Sequence, residues 1–293
     1  MEIRKNARAF LYLAPSLAIF GIFMFWPLAR TFYLSFFEWN MVKPVKKFVG
    51  LGNYAALLTS PLTYKILGNT AAYILILLAV NFAAPYVLSF VLSVVIKKGK
   101  GLYKSAFFLP SVISLVVGSM IYSWILNPVS GPLALIAKAL GLAIPIWSKT
   151  DGAVIVVLSV ITSWKIFGYN FIIILGGVSG ISGEVIEAAR IDNVPLKRIF
   201  FDIVLPMSGA TGVYLFVMTI VQGMQFVFTP IKILTQGGPN YASSNVIYHS
   251  YHELFVVYRT GVGSAFAMLT LVLFAFLLFL EFRFVEKRVY YES

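Results

Sequence analysis

Long apolar runs alternate with short charged stretches along this chain, and the runs decide the fold class. Six of them match the length of a membrane crossing: Phe10–Phe37, Asn69–Ile96, Ser105–Leu126, Ala153–Gly177, Ile203–Pro230 and Gly263–Phe284. A helix needs about 20 mostly apolar residues to cross a hydrocarbon core about 30 Å thick. With no water in that core, backbone polar groups must pair within the segment, which a helix achieves. The pattern predicts an all-α, polytopic integral membrane protein with six transmembrane helices, residues 1–293 forming one transmembrane domain. The first run exceeds the roughly 7–15 apolar residues of a cleavable leader, and no small-residue cleavage site follows, so it reads as a retained first helix.

Lysine and arginine set the orientation. With both termini inside, the cytoplasmic segments carry thirteen of these residues, among them Arg4, Lys5, Arg8, Lys97, Lys98, Lys100, Lys104, Arg190, Lys197, Arg198, Arg283, Lys287 and Arg288. The outer segments carry eight, including Lys43, Lys46, Lys47, Lys65, Lys138 and Arg259, over longer loops. Basic residues on short loops favour the cytoplasmic side. Arg30, near the outer end of the first run, reads as snorkelling towards water. Tryptophans 26, 39, 124 and 147 fall near run ends or in loops, where interfacial anchoring accounts for them.

Composition agrees: 60% of residues are hydrophobic, 12% are charged, and the mean hydropathy is +0.89. The net charge of +12 is spread between apolar runs rather than gathered on one face, which speaks against nucleic-acid binding. No cysteine is present, so disulfides and thiolate metal sites are excluded. His249, His252 and Glu253 stand close together in an outer segment but are too few for a convincing metal site, and read as a solvated helix surface. No Gly-x4-Gly-Lys-Ser/Thr phosphate loop and no nucleophile–base set occurs, so no enzyme chemistry, ATP hydrolysis or cofactor is expected in the chain itself.

Polar residues inside the runs narrow the function. A charged side chain within a span costs about 2.5–3.5 kcal/mol on insertion scales and so requires a partner or a watery path. Lys165 lies in the middle of the fourth run, with Tyr169 one turn away and Asn170 beside it. Gln222 and Gln225 share a face of the fifth run, and Asn81 and Pro85 interrupt the second. These groups suit a pathway for a small polar solute, aromatic rings covering apolar faces and amides serving hydroxyls. Hydrogen bonding between helices is the competing account. For Lys165 the choice lies between an anionic solute and a carboxylate on a partner helix.

Between the fourth and fifth runs, about residues 179–205, a polar segment reads as two short helices with a break. Ser182 suits an N-cap, with Glu184 in the first turn where the helix dipole favours an anion. Small Ala188 and Ala189 allow close approach by another surface. Asn193 can take the left-handed conformation that ends a helix, and Pro195 suits the first turn of the next. Physically this is either an amphipathic hairpin lying on the bilayer or a docking element for a partner's groove.

The run Glu187-Ala-Ala189, with Asp192 following and Ile203-Val-Leu-Pro206 closing, resembles the EAA loop of permease subunits in binding-protein-dependent ABC importers. Phe48-Val-Gly-Leu-Gly-Asn-Tyr54, Asn127-Pro128 with Gly131, Thr235-Gln-Gly-Gly-Pro239 and Phe282-Arg-Phe-Val-Glu286 are similar to segments of the carbohydrate-uptake group, which includes maltose-type and glycerol-3-phosphate-type permeases. The chain departs from that family in having Asn193 where Gly is usual, and Ser208-Gly-Ala where a Pro often follows.

The resemblance implies a multi-pass protein of a bacterial-type cytoplasmic (inner) membrane. Its loop would be a cytoplasmic coupling-helix hairpin, with Glu184, Glu187, Ala188, Ala189, Asp192 and Asn193 at the ATPase contact. It implies a second homologous permease subunit, two cytoplasmic ATPase subunits, an extracytoplasmic solute-binding protein and a sugar, polyol or sugar-phosphate-like solute. It adds Phe167, Gly168 and Phe171 to Lys165, Tyr169, Asn170, Gln222 and Gln225 as candidates for the solute path. The rival is a self-sufficient secondary transporter, which would need an intramembrane carboxylate; no Asp or Glu lies centrally in any run.

Overall fold

The computed structural model describes residues 12–96, 98–142 and 146–284. Arg4, Lys5, Arg8, Lys97, Lys287 and Arg288 of the charge pattern, the start of the first run at Phe10, and Val285-Glu286 lie outside the described residues. In chain order the elements are α1 (Tyr12–Leu34), strands β1 (Phe37–Glu38) and β2 (Lys47–Phe48), α2 (Gly52–Thr59), α3 (Pro61–Val95), α4 (Lys100–Val112), α5 (Leu115–Ile125), α6 (Pro132–Ala139), α7 (Ala153–Ser179), α8 (Gly183–Ile191), α9 (residues 196–207), α10 (Gly209–Thr235), α11 (Val246–Phe255) and α12 (Thr260–Phe284). Helices α1, α3, α7, α10 and α12 are long and apolar enough to span a bilayer. The protein is an all-α, multi-pass membrane protein.

The sixth crossing departs from expectation. A straight helix over Ser105–Leu126 is replaced by α4 and α5, which start at Lys100 and meet at 97°. Ile113 and Ser114 are extended (ψ 140° and 133°), which ends α4 just after Pro110. The second crossing is longer than its apolar run, because Pro61 opens α3 where its missing N–H costs nothing. The fifth is interrupted at Ser208, so α9 stands apart from α10.

The described residues form two compact units, those within 64–248 and 273–293, and those within 1–63 and 249–272. In the first, α7 is the central post, packed against α4, α10 and the second half of α3. Glycines permit that closeness: a Cβ on Gly168 would stand 2.0 Å from the Phe107 carbonyl oxygen, and one on Gly177 would meet Thr211 at 2.6 Å. In the second unit, β1 and β2 pair antiparallel with Phe37 opposite Phe48. Asn53 holds the chain there, donating to the Ser35 and Phe37 carbonyls at 2.8 and 3.1 Å.

Candidate functional site: a polar clasp and an exposed helical hairpin

Proline governs the polar centre of the larger unit. In an α-helix the N–H of residue 85 would serve the Asn81 carbonyl, and proline has none. The chain widens to a π-turn over Ala79–Ala83, and Asn170 Nδ2 donates to the Asn81 carbonyl at 2.7 Å. The same nitrogen reaches Thr219 Oγ1 at 3.0 Å, and Asn81 Nδ2 donates to Ser163 Oγ at 2.7 Å. Asn170 is 1% exposed and thereby joins α3, α7 and α10. Gly168 and Phe171 are buried beside it.

Lys165 answers the broken crossing. Its ammonium donates to the Ser111 carbonyl and, at 2.7 Å, to the Ile113 carbonyl. A cation at a helix C-terminus meets the negative end of the dipole, so the charge is matched inside the span. Phe167 lines a cavity of about 310 Å³ with Trp164, Phe107, Pro110 and Tyr122 in the angle of the bend. Tyr169 and Gln225 are exposed, and Gln222 is half-buried. The candidates thus divide: Gly168, Asn170 and Phe171 are buried among the helices, Tyr169 and Gln225 are exposed, and Lys165, Phe167 and Gln222 are half-buried, Lys165 with its ammonium on the α4 carbonyls and Phe167 against Phe107.

The loop between α7 and α10 folds as two short helices, α8 and α9, with a break between them. Ser182 Oγ accepts the Glu184 N–H at 3.3 Å, placing Glu184 in the first turn of α8. Asn193 is left-handed (φ 56°), and the Val194 N–H returns to the Ala189 carbonyl at 2.9 Å, closing the helix. Pro195 is the residue before α9 rather than part of its first turn. Ala189 is buried with Ile199, Ile174 and Val178, and Ile186 and Val194 pack on them. Val185, Ala188, Ile191 and Leu196 are exposed, Ile191 at 80%, and Glu184, Glu187, Asp192 and Asn193 surround them. Arg190 donates to the Val94 carbonyl at the end of α3, a link absent from the sequence reading.

Two further features involve outer segments. In Thr235–Tyr241 the residues Gln236, Gly237, Asn240 and Tyr241 all have positive φ, and α3 grips the loop that follows. Asn69 donates to the Tyr241 and Ser244 carbonyls at 2.9 and 3.0 Å, and Tyr73 to the Ser243 carbonyl at 2.9 Å. The His249 surface is not solvated. His249 is 4% exposed, Glu253 is fully buried, and burial lowers the His249 pKa to about 4. His249, His252 and Glu253 present donor atoms within 4.8 Å of one another, yet Arg259 binds Glu253 Oε2 at 2.7 Å, and its charge opposes a metal ion there.

Residues 106–291 match the family described as binding-protein-dependent transport system inner membrane component. The chain belongs to this family. It is a permease subunit of an ABC importer, a transport component rather than an enzyme. The permease is 30% identical over 283 residues, 96% of each chain, to the sn-glycerol-3-phosphate transport system permease protein UgpA of Agrobacterium fabrum. It is also 30% identical over 280 residues to the probable ABC transporter permease protein YurN of Bacillus subtilis, covering 94% of this chain and 95% of that one. Its fold matches a chain of a bacterial ABC transporter involved in import of the acidic polysaccharide alginate, with TM-score 0.80 and 18% identity over 98% of this chain and 97% of that one. A second structure of a bacterial alginate ABC transporter, in complex with alginate pentasaccharide-bound periplasmic protein, gives TM-score 0.79 and 18% identity, over 96% of this chain and 94% of that one.

Proposed function

We propose that this permease forms half of the import path for a small hydroxylated solute carrying a negative charge, such as a sugar phosphate, polyol phosphate or uronate. The relatives named above include a glycerol-3-phosphate permease and an importer of an acidic polysaccharide, and both solutes join hydroxyls to an anion. Phe167, Tyr169, Gln222 and Gln225 are the residues assigned to the path. Lys165, Gly168, Asn170 and Phe171 hold the helices that carry them. A second homologous permease supplies the other half, and an extracytoplasmic binding protein delivers the solute.

The exposed face of α8 carries this reading. Its inner face is anchored in the core while an apolar patch of Val185, Ala188, Ile191 and Leu196, rimmed by Glu184, Glu187 and Asp192, is uncovered. Such a patch on a short, tethered helix suits a groove on a partner. We assign the partner as one of two cytoplasmic ATPase subunits, with both termini of this chain on the same side. Closure of the ATPase pair on ATP moves α8 as a rigid body, and the spans swing to open the path outwards. Hydrolysis returns them.

The test uses the coexpressed complex with Ala188→Asp and Ile191→Asp. Both positions are exposed, so the spans should still assemble. ATPase stimulation by loaded binding protein is expected to disappear. Unchanged stimulation would reduce α8 to an interfacial helix, and solute accumulation driven by the purified chain alone would replace the ABC mechanism with a self-sufficient carrier.

A further inference from the structure

The smaller unit contains a polar cavity of about 580 Å³ lined by none of the residues assigned to the solute path. Trp39, Lys43, Lys47, Tyr258 and Arg259 line it, with the Glu38 carboxylate also in the wall. Its place in the chain sets its depth. Trp39 lies just past Leu34, the end of α1, and Arg259 immediately precedes Thr260, the start of α12. Both helices are membrane spans, so the cavity stands at the level of lipid headgroups, where tryptophan and tyrosine collect.

Its walls are held in place. The Trp39 indole N–H donates to the Lys43 carbonyl at 2.7 Å, and Asn40 Oδ1 accepts the Val42 and Lys43 N–H groups at 3.2 and 2.9 Å. The Thr260 N–H donates to the Trp39 carbonyl at 2.9 Å. A Cβ on Gly261 would fall 1.8 Å from the Phe37 carbonyl oxygen, so glycine alone lets the start of α12 lie against β1. Met41 and Tyr258 have φ of 62° and 58°, a conformation that side chains of this size rarely adopt. Strained residues of this kind gather where a surface is shaped for a ligand.

Both signs are present, with cations in excess. Glu253 is buried and fixes the Arg259 guanidinium through Nε and Nη2, each 2.7 Å from Oε2. Glu38 stands 3.7 Å from Lys47 in an exposed pair, which screening leaves weak. Lys46 lies over the Trp39 ring at 4.6 Å and adds a further cation, while Lys43 has no carboxylate partner among the described residues. Cations therefore outnumber carboxylates around an aromatic-walled space large enough for a sugar-sized molecule.

We propose that this cavity is a binding site for a phosphoryl polyol, with Lys43, Lys47 and Arg259 on the phosphate and Trp39 against the carbon skeleton. Charge-assisted bonds to phosphate oxygens supply the affinity, and basic pockets beside spans hold lipid headgroups in the same way. A free polyol phosphate and a phosphatidylglycerol headgroup share this chemistry. The inference does not depend on the ATPase-coupling role of α8 or on which solute is carried.

The test is residue-resolved acylation of the assembled complex in nanodiscs, read by mass spectrometry at Lys43 and Lys47, with exposed Lys138 as the internal standard. Both faces of a nanodisc are open to the reagent, so orientation does not enter. One arm adds sn-glycerol-3-phosphate to phosphatidylcholine discs, and the other replaces part of the phosphatidylcholine with phosphatidylglycerol. Slower labelling of Lys43 and Lys47 relative to Lys138 in the first arm identifies a free solute; in the second, a lipid headgroup. Lys43→Gln should weaken the protection read at Lys47 about tenfold, the loss expected for one charged contact. Equal slowing at all three lysines, or none in either arm, overturns the proposal.

Discussion

Replacing Asn170 by alanine tests whether the polar centre of the spans is a clasp built around Pro85. The side chain is 1% exposed, and its Nδ2 serves the Asn81 carbonyl at 2.7 Å and Thr219 Oγ1 at 3.0 Å. A buried acceptor left without a donor costs about 1–3 kcal/mol, while side-chain hydrogen bonds between membrane helices average about 0.6 kcal/mol in double-mutant cycles. Asn170→Ala should therefore destabilise the protein by about 1–2 kcal/mol, the carbonyl term weighing more than the hydroxyl term. That term exists because residue 85 has no N–H. Pro85→Ala returns a donor to the helix, so the Asn170→Ala cost should fall by at least about half in that background, a coupling within the range for residues sharing a network. Denaturation of the four variants in mixed detergent micelles, followed by circular dichroism, measures the cycle. Equal costs of Asn170→Ala with and without Pro85 would refute the idea that proline creates the site Asn170 fills.

Lys165→Met should destabilise the protein by about 1.5–3 kcal/mol without solute present, since a charged donor to two carbonyls is lost; uptake assays should then show an unchanged KM, whereas a raised KM at unchanged stability would make Lys165 a solute ligand. Acid should weaken the region around His249, whose pKa burial lowers from 6.5 to about 4 beside Glu253, His252 and Arg259. The unfolded chain binds that proton first, so stability is full above pH 6.5 and declines towards pH 4, by up to about 3 kcal/mol; melting temperatures of wild type and His249→Gln across that window measure it, and parallel curves would contradict it. Arg190→Met removes the bond from α8 to the Val94 carbonyl; transport per ATP hydrolysed should fall while complex assembly persists, and an unchanged ratio would detach Arg190 from coupling.

The crossings were legible because apolar length is a strong constraint, and five runs correspond to five long helices. The ends of α8 were legible for a local reason: Ser182 and Asn193 act on their own backbone, and a left-handed asparagine needs no distant partner. The broken crossing was not legible as a 97° bend. Pro110 marks a weak point, but the bend also depends on Lys165, more than fifty residues later, supplying donors to the freed carbonyls. His249 and Glu253 misled for the same reason. A polar helix turn reads as solvated until a distant packing partner, here Phe266 at 4.9 Å from the His249 ring, is known.

Polar residues within these spans therefore have to be judged with the backbone carbonyls that a nearby proline or helix end leaves free. A freed carbonyl attracts a donor from another helix, because no water is available to it. Asn170 meets the carbonyl associated with Pro85, and Lys165 meets the carbonyls at the helix end that follows Pro110. Both polar side chains look like solute ligands in the sequence, and both spend donors on backbone carbonyls, Asn170 on Asn81 with a second bond to Thr219, and Lys165 on Ser111 and Ile113. The groups proposed for the path, Phe167, Tyr169, Gln222 and Gln225, present rings and amides rather than charge, while Lys165, half-buried like Phe167 and Gln222, is engaged by the α4 carbonyls. On the proposed assignment an anionic solute is held in this half of the path by dipoles and aromatic edges rather than by a full positive charge. Substituting Tyr169 or Gln225 should accordingly alter solute preference at little cost in stability, the reverse of the Lys165 and Asn170 changes.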